Sequence, residues 1–343
     1  MKKLLNTLYV TTAESYLGLD GETIVVKRPE QPDLRIPLHN LESVVTFGRP
    51  GASPSLMGAL AKRNISLCFL TPNGRFLARV IGESRGNVLL RKEQYRVSDN
   101  EALSLTIAGS IISAKLYNSK WVLERTIRDY KLRVDTERMK KESSFLSGSI
   151  KSVEKCRTLD ELRGVEGEGA SRYFSVFDQM ILQQKKNFSF KGRNRRPPLD
   201  NVNAMLSFGY TLLANDVASA LEAVGLDAYV GFLHRDRPGR ASLALDIMEE
   251  LRGWVVDRFV LTLINQKMVN QKGFLKEESG GVIMTDETKR IFLQAWQEHK
   301  KEMIMHPFLK EKIEWGLVPY AQAMLLARFL RGDLDAYPVF FWK

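Results

Sequence analysis

The chain has 343 residues, with 51 Lys and Arg against 40 Asp and Glu and a formal net charge of +11. Apolar residues make up 44% and charged residues 27%, which is typical of a folded protein and excludes a disordered or fibrous one. The basic balance indicates a polyanionic partner, with nucleic acid first and an anionic membrane surface second.

The two cysteines, Cys68 and Cys156, are too few for a disulfide framework or a zinc cluster, and they indicate a reducing compartment. The apolar runs are far shorter than the roughly 20 residues that cross a bilayer, and the N-terminus lacks a signal-peptide core. We therefore expect a cytoplasmic protein that makes no use of a membrane.

Residues 1–84 have the pattern of a β-rich domain. Short apolar runs are interrupted by Asp20-Gly21 and Asn73-Gly74, which are typical of tight hairpin turns. One helix is predicted over 53–63, capped by a serine. Glycine and serine at 84–86 interrupt the pattern, so we place a domain boundary there and a linker over 85–100.

From about residue 101 the apolar spacing changes to three and four, which predicts a long amphipathic helix over 105–134. Its other face carries Lys115 and five further basic residues, for which a solvated surface is the simpler interpretation. Further helices are predicted at 165–182, 202–223, 241–266, 286–301 and 318–331. The predicted fold class is thus α+β, with a small β-rich domain at 1–84 and a larger, all-helical domain at 101–343.

Glu166 stands between two glycines, Gly164 and Gly167, which allow a backbone or a substrate to approach the carboxylate closely. The alternative is a helix N-terminus where acids offset the macrodipole, and spacing alone favours this alternative. The glycines do not form a phosphate loop, because the pattern and its lysine are absent.

A second stretch places Asp246, Glu249 and Glu250 at i, i+3 and i+4, on one face of a helix that begins near Ser242. His234 lies on the loop before it. An imidazole with carboxylates suits a divalent ion such as Mn²⁺ or Mg²⁺. Taken singly, a structural histidine and a solvated acidic face remain the simpler interpretations.

A third stretch, 185–198, is a basic loop with two aromatic residues that ends at Pro197-Pro198. Basic loops with aromatics bind phosphates and sometimes stack on bases, so this loop is a candidate nucleic-acid surface. A second basic group follows His234. The candidate nucleic-acid-binding residues are Lys185, Lys186, Lys191, Arg193, Arg195, Arg196, Arg235, Arg237 and Arg240.

Four blocks occur in a characteristic order: Gly164–Gly167 with Arg172–Phe174, Asn203–Leu213, Gly231–His234, and Ser242–Glu249. In order and gaps they resemble CRISPR-associated protein 1, the endonuclease and integrase of CRISPR adaptation, over most of the C-terminal half. The amino-acid sequences of these blocks are most similar to those of the type I-C branch.

The resemblance implies a β-rich dimerisation domain and a helical domain in which Glu166, His234 and Glu249 ligate one Mn²⁺ or Mg²⁺ ion. Asp246 matches a further acidic position, so the implied catalytic residues are these four. It also implies that two homodimers bracket a dimer of CRISPR-associated protein 2. The complex would hold a protospacer duplex and insert it into the CRISPR repeat array by 3′-hydroxyl attack on a phosphodiester.

Two other classes stay open on the residues alone. One is a non-catalytic nucleic-acid scaffold whose acids bind nothing, and metal-dependent strand transfer on branched DNA would separate it from an integrase. The other is a metal-dependent phosphohydrolase acting on a small phosphate compound, which competition between DNA and small phosphates would reveal.

Overall fold

The structure is a computed structural model that describes residues 6–12, 14–72, 74, 76–80, 82 and 88–342. The chain divides into two compact units. The first comprises Met1–Gly86, Lys289–Met303 and Glu314–Leu317, and the second comprises Asn87–Thr288, Ile304–Ile313 and Val318–Lys343. The predicted boundary at 84–86 lies outside the described residues.

The N-terminal segment forms strands and one helix. They are β1 (Asn6–Val10), β2 (Tyr16–Asp20), β3 (Thr23–Arg28), β4 (Gln31–Pro37), β5 (Leu41–Phe47), β6 (Gly51–Ala52), α1 (Pro54–Lys62), β7 (Ser66–Leu70) and β8 (Phe76–Val80). They make two four-stranded sheets, ordered β1-β5-β7-β8 and β4-β3-β2-β6. In the first, β1, β5 and β7 are parallel and β8 is antiparallel.

One buried core joins both sheets to α1. It includes Val44 of β5, Leu17 of β2 and Leu60 of α1, all of which are fully buried. The hairpin predicted at Asp20-Gly21 is confirmed, because β2 and β3 pair antiparallel around it. The predicted helix is confirmed as α1, and Ser53 caps it. The second hairpin joins β7 to β8, although Asn73 lies outside the described residues.

The rest of the chain is mainly helical. Its elements are α2 (Val88–Asp99), α3 (Glu101–Asp129), α4 (Thr136–Val153), α5 (Leu159–Ser175), α6 (Asn201–Ala223), α7 (Ser242–Arg252), a π-helical turn (Gly253–Asp257), α8 (Arg258–Asn265), β9 (Phe274–Lys276), β10 (Val282–Met284), α9 (Asp286–Lys300), β11 (Met303–Met305), β12 (Lys312–Glu314) and α10 (Val318–Leu330). Short 3₁₀ turns occur at Leu38–Asn40, Phe177–Met180, Gln271–Gly273 and Trp315–Leu317. In the part of the chain that the structure describes, no helix combines the length and hydrophobicity needed to cross a bilayer.

Three features of this half differ from the prediction. It is not all-helical, because β9 pairs with β10 and β11 with β12. Most of the range predicted as a linker, 85–100, forms the helix α2, which packs on α3. Helix α4 was not predicted because serines occupy part of its buried face, including Ser143 and Ser149, and this dilutes the apolar period.

Helix α5 begins at Leu159, six residues before the predicted start. Thr158 caps it, and its first-turn acids are Asp160 and Glu161. Glu166 is therefore in the helix interior, and the interpretation of this carboxylate as part of a helix N-terminus is wrong. Three glycines inside the helix, Gly164, Gly167 and Gly169, interrupt the helical pattern of the sequence.

The C-terminal segment of the second unit is held by Glu250. This buried carboxylate accepts hydrogen bonds from the Tyr337 hydroxyl (2.6 Å), the Phe340 backbone N–H (2.8 Å) and the Gln322 amide (3.1 Å). Burial raises the pKa of Glu250 to about 7 in spite of these donors. Asp246, Glu249 and Glu250 lie on one side of α7, as their spacing predicts, but all three are buried, so the interpretation as a solvated acidic face is wrong.

We predict that Glu250→Ala lowers the free energy of unfolding by about 2–4 kcal/mol, because three buried donors lose their acceptor. Hydrogen exchange at the Phe340 amide should accelerate in the same variant. Glu137→Ala, at a side chain that is 90% exposed on α4, is the control and should change stability by less than about 1 kcal/mol. Unchanged protection of Phe340 would show that Glu250 does not anchor this segment.

Candidate active site

The turn that carries His234 is fixed by one buried carboxylate. Asp246, on α7, accepts hydrogen bonds from the backbone N–H groups of Phe232 (2.6 Å), Leu233 (3.0 Å) and His234 (3.0 Å). It also lies 2.6 Å from Nδ1 of the His234 ring. With Nδ1–H donated to Asp246, the ring presents Nε2 as the atom that can coordinate a cation.

This turn needs a glycine at position 231. A Cβ there would lie 2.7 Å from the Asp246 carboxylate and 2.9 Å from the Ser242 backbone carbon, so any side chain would push the turn away from α7. The Gly231–His234 block and the Ser242–Glu249 block are therefore two sides of one packed unit.

Glu249 lies one helical turn beyond Asp246 and is also buried. Arg252 Nη1 contacts both of its oxygens, at 2.8 and 3.0 Å, and Lys115 Nζ lies 2.6 Å from Oε2. Burial by itself would raise the pKa of Glu249, but Arg252 and Lys115 together hold it well below its ordinary range. His234 contributes in the same direction, so its imidazole lies within electrostatic range of the Glu249 carboxylate, whose pKa it helps to lower.

Glu166 reaches the same place from α5. Lys115 Nζ pairs with its Oε1, while Oε2 has no hydrogen-bond partner among the described residues. Gly169 lets α5 pack closely on α3, because a Cβ there would overlap Leu116. One turn before Glu166, Arg163 donates two hydrogen bonds to the Leu233 carbonyl (2.6 and 3.1 Å) and so ties α5 to the His234 turn.

Two further polar residues, Tyr210 and Asp257, lie close to the Arg252 guanidinium. The guanidinium lies 4.3 Å from the centre of the Tyr210 ring, and the Tyr210 hydroxyl donates to Asp257. The π-helical turn brings Asp257, five residues after Arg252, to the same side, and such turns are frequent at functional sites. Burial raises the pKa of Asp257 to about 6, although Tyr210 and Arg252 oppose the shift.

Lys115 is the residue that the sequence prediction missed. It was assigned to the solvated face of the long helix, yet it is only 7% exposed. The buried residues of α3 include Ala108, Ile111, Lys115 and Ser119, which follow the spacing of three and four. The position of Lys115 at helical spacing from apolar residues was therefore the sequence signal that this lysine is buried.

The basic residues predicted to bind nucleic acid differ in their exposure and in their contacts. Arg193 donates to Asn203 Oδ1 (2.7 Å) and Ser207 Oγ (3.1 Å), and its guanidinium lies 5.2 Å from the centre of the Tyr210 ring, so it ties the loop to α6. Arg240 is half-buried, and Arg235 pairs with Asp160 at 2.9 Å. The exposed members are Lys185, Lys186, Lys191, Arg195, Arg196, Arg235 and Arg237.

The two aromatic residues of the basic loop are not available for base stacking. Phe188 is fully buried and Phe190 is 5% exposed, with Phe190 packed against Phe174 and Phe177. This part of the prediction is wrong because aromatic side chains that anchor a loop to a core have the same local sequence as those that stack on bases.

In the described part of the chain, no three His, Cys, Asp or Glu side chains are arranged to hold a metal ion. The Lys115 ammonium lies between the carboxylates of Glu166 and Glu249 and pairs with both. The available donors nevertheless suit a hard divalent ion: two carboxylates, one of them with an unpartnered oxygen, and an imidazole with Nε2 available. The residues present therefore fit Mn²⁺ or Mg²⁺.

Comparison with known proteins defines the class. The model of the family "CRISPR associated protein Cas1" matches residues 8–298, and the chain belongs to this family. Two curated relatives are named CRISPR-associated endonucleases Cas1. The one from Chlorobaculum tepidum is 46% identical over 343 residues, and the one from Rhodospirillum rubrum is 50% identical over 347 residues. Both alignments cover 100% of each chain.

Solved structures share the fold. A Cas1 protein from Thermotoga maritima superposes with a TM-score of 0.83 at 25% identity and covers 97% of this chain and 99% of that chain. A casposase bound to an integration product gives 0.85 at 23% identity, over 98% of this chain and 93% of that chain. A Cas6-RT-Cas1–Cas2 complex gives 0.83 at 22% identity, over 100% of this chain and 37% of that chain.

We predict that Asp246→Asn frees the His234 ring and lowers the free energy of unfolding by about 1–3 kcal/mol, because the carboxylate is replaced by a weaker acceptor that also carries donors. The downfield NMR signal of His234 Nδ1–H should disappear. Asp236→Asn, at an exposed acid of the same loop, is the control and should change neither property. Persistence of the signal in Asp246→Asn would contradict the assignment.

Proposed function

We propose that this chain is a metal-dependent DNA endonuclease and integrase of CRISPR adaptation, which joins the 3′-hydroxyl of a protospacer to a phosphodiester of the repeat array. One observation carries the proposal: Lys115 pairs with both Glu166 and Glu249, and the His234 imidazole, which Asp246 holds with Nε2 available, lies within electrostatic range of Glu249. The family membership and the names of its relatives as endonucleases support the same reaction class.

Glu166, His234 and Glu249 would hold one Mn²⁺ or Mg²⁺ ion, with Asp246 as the residue that positions His234. When bound, such an ion would polarise the phosphoryl oxygen and offset the charge that develops at the phosphorus. Arg252 keeps Glu249 ionised and fixes its orientation through contacts to both oxygens. The set has one imidazole and two carboxylates, which supports a single metal and not a pair.

The surface beside Glu166 suits the approach of a DNA backbone. Gly164 and Gly167 lie inside α5, where each glycine costs the helix about 1 kcal/mol relative to alanine. Nothing in the described structure lies within 4 Å of a Cβ at either position, so packing does not account for them. A phosphate backbone that passes close to Glu166 would account for both.

We further propose the partners that the resemblance implies. The chain would form homodimers through residues 1–84, and two dimers would bracket a Cas2 dimer. The likeness in fold to a Cas6-RT-Cas1–Cas2 complex supports Cas2 as partner, and the likeness to a casposase bound to an integration product supports DNA. The type I-C branch and a cytoplasmic location belong to the same proposal, and the genes beside this one test the branch.

We predict that Glu166→Gln, His234→Ala and Glu249→Gln each lower Mn²⁺-dependent strand transfer at least roughly 100-fold, because each removes one of three ligands. The assay joins a duplex with free 3′-hydroxyls to a repeat-containing DNA. Glu168→Gln, two residues along α5 and exposed, is the control and should keep wild-type activity. Full activity of any ligand variant at limiting Mn²⁺ would remove that residue from the site.

We predict that Arg195→Ala with Arg196→Ala weakens binding to unrelated duplexes about equally. The double variant should flatten the plot of log affinity against log salt by up to roughly 0.9 for each lost phosphate contact. Arg193→Ala is the comparison, and it should lower thermal stability because its guanidinium holds Asn203 and Ser207. If log affinity depends on log salt with the same slope as in the wild type, Arg195 and Arg196 do not contact phosphates and are ordinary solvated surface residues.

A further inference from the structure

The side chain of Lys115 stands at the centre of the proposed metal site. It projects from α3, is 7% exposed, and places Nζ against Glu166 Oε1 and 2.6 Å from Glu249 Oε2. A lysine is a compact point charge on a flexible stem, whereas an arginine at this position would be held by a rigid fork. The ammonium therefore both neutralises the carboxylates and remains able to move.

We propose that Lys115 is a built-in counter-ion, which occupies the cation position when no metal is bound and is displaced when the metal binds. This inference rests on the metal site of the proposed function. Two carboxylates that converge in a mostly buried site repel each other unless a cation lies between them. Arg252 contacts Glu249 and has no contact with Glu166 within the described structure, so Lys115 is the cation shared by both acids.

The ammonium and a metal cannot use the same oxygens together. An ammonium group has three donors and no acceptor, so it can bind the carboxylates but cannot coordinate an ion. A divalent cation at the Glu166 and Glu249 oxygens would lie within a few ångströms of Nζ, and the two positive charges would repel. A metal that binds the oxygens held by Nζ therefore requires Nζ to leave at least one of the two carboxylates.

A small cavity beside Lys115 could receive the displaced ammonium group. A cavity of about 10 Å³, close to the volume that one water needs, is lined by Lys115, Tyr173, Asp257 and Arg252, among others. The Tyr173 hydroxyl is buried and lies near Asp257 without a hydrogen bond of normal geometry. An ammonium head is similar in size to a water, so the cavity has room for it beside Tyr173 and Asp257, while the positive charge of Arg252 limits how far it can enter.

Two consequences follow for this chain. Without metal, the site keeps its shape because Lys115 replaces the missing charge. With metal, the affinity is lower than the same three ligands would give alone, because an ion pair must first be broken. Lys115 thus sets the metal concentration at which the site fills.

The test measures Mn²⁺ binding to the full chain directly, by the electron paramagnetic resonance signal of free Mn²⁺, in wild type and Lys115→Gln. We expect the variant to bind Mn²⁺ at least tenfold more tightly, which is about 1.4 kcal/mol. Without metal, its melting temperature should fall below that of wild type, and Mn²⁺ should raise it by more than it raises that of wild type. Lys120→Gln, with the same charge change on the same helix, is the control and should show neither effect.

The other outcomes are equally decisive. An unchanged or weaker Mn²⁺ affinity in Lys115→Gln, while binding still requires His234, would overturn the counter-ion role and leave the proposed function standing. Absence of any His234-dependent Mn²⁺ binding in wild type would overturn both. Should Lys115→Gln fold only when Mn²⁺ is present, the metal has replaced the ammonium as proposed. Lys115→Arg, which keeps the charge in a stronger pair, should bind Mn²⁺ no more tightly than wild type, and tighter binding would also overturn the role.

Discussion

A buried carboxylate must be paired, and the pairing of Glu249 organises the charged groups around α7. Its two cations come from different places, Arg252 from its own helix and Lys115 from α3. Each cation then faces a further acid, Glu166 on one side and Asp257 on the other. The result is a row of groups with alternating charge that crosses the second unit, in which every buried charge has neighbours of opposite sign.

This row explains several local features that would otherwise be costly. The π-helical turn at Gly253–Asp257 interrupts the regular helix but brings Asp257 into range of Arg252. Gly169 weakens α5 but lets it lie close enough to α3 for Glu166 to reach Lys115. In each case local helix stability is lost so that charges meet, which is the pattern expected where function and not stability determines the residue.

Features that depend on short-range patterns could be predicted from the sequence. The hairpin at Asp20-Gly21, helix α1 with its Ser53 cap, and the long helix over Asn201–Ala223 all follow from local periodicity and turn chemistry. The residues brought together at the site were predicted as well, but mainly through their resemblance to a family. Spacing alone had favoured a helix N-terminus for Glu166 and a structural role for His234.

What could not be predicted depends on contacts between residues far apart in the chain. The spacing of α3 could indicate that Lys115 is buried, but it could not identify its partners, which lie 51 and 134 residues away. Arg193 looked like part of a phosphate-binding loop, yet its hydrogen bonds to Asn203 and Ser207 make it structural support. The local sequence pattern likewise does not indicate that Lys289–Met303 belongs to the first unit.

The three acids of α7 show why periodicity could narrow the site but not assign it. Residues at i, i+3 and i+4 lie within about 100° of one another around a helix, yet Asp246, Glu249 and Glu250 each meet a different neighbour. Asp246 faces the backbone N–H groups of the His234 turn, Glu249 faces two cations, and Glu250 faces the hydroxyl and amide donors of the C-terminal segment. Of the three, only Glu249 faces cations, which hold its carboxylate ionised. The chemistry of an acid on this helix is therefore decided by what packs against it, and the proposed metal ligand is the acid that pairs with Lys115 and Arg252.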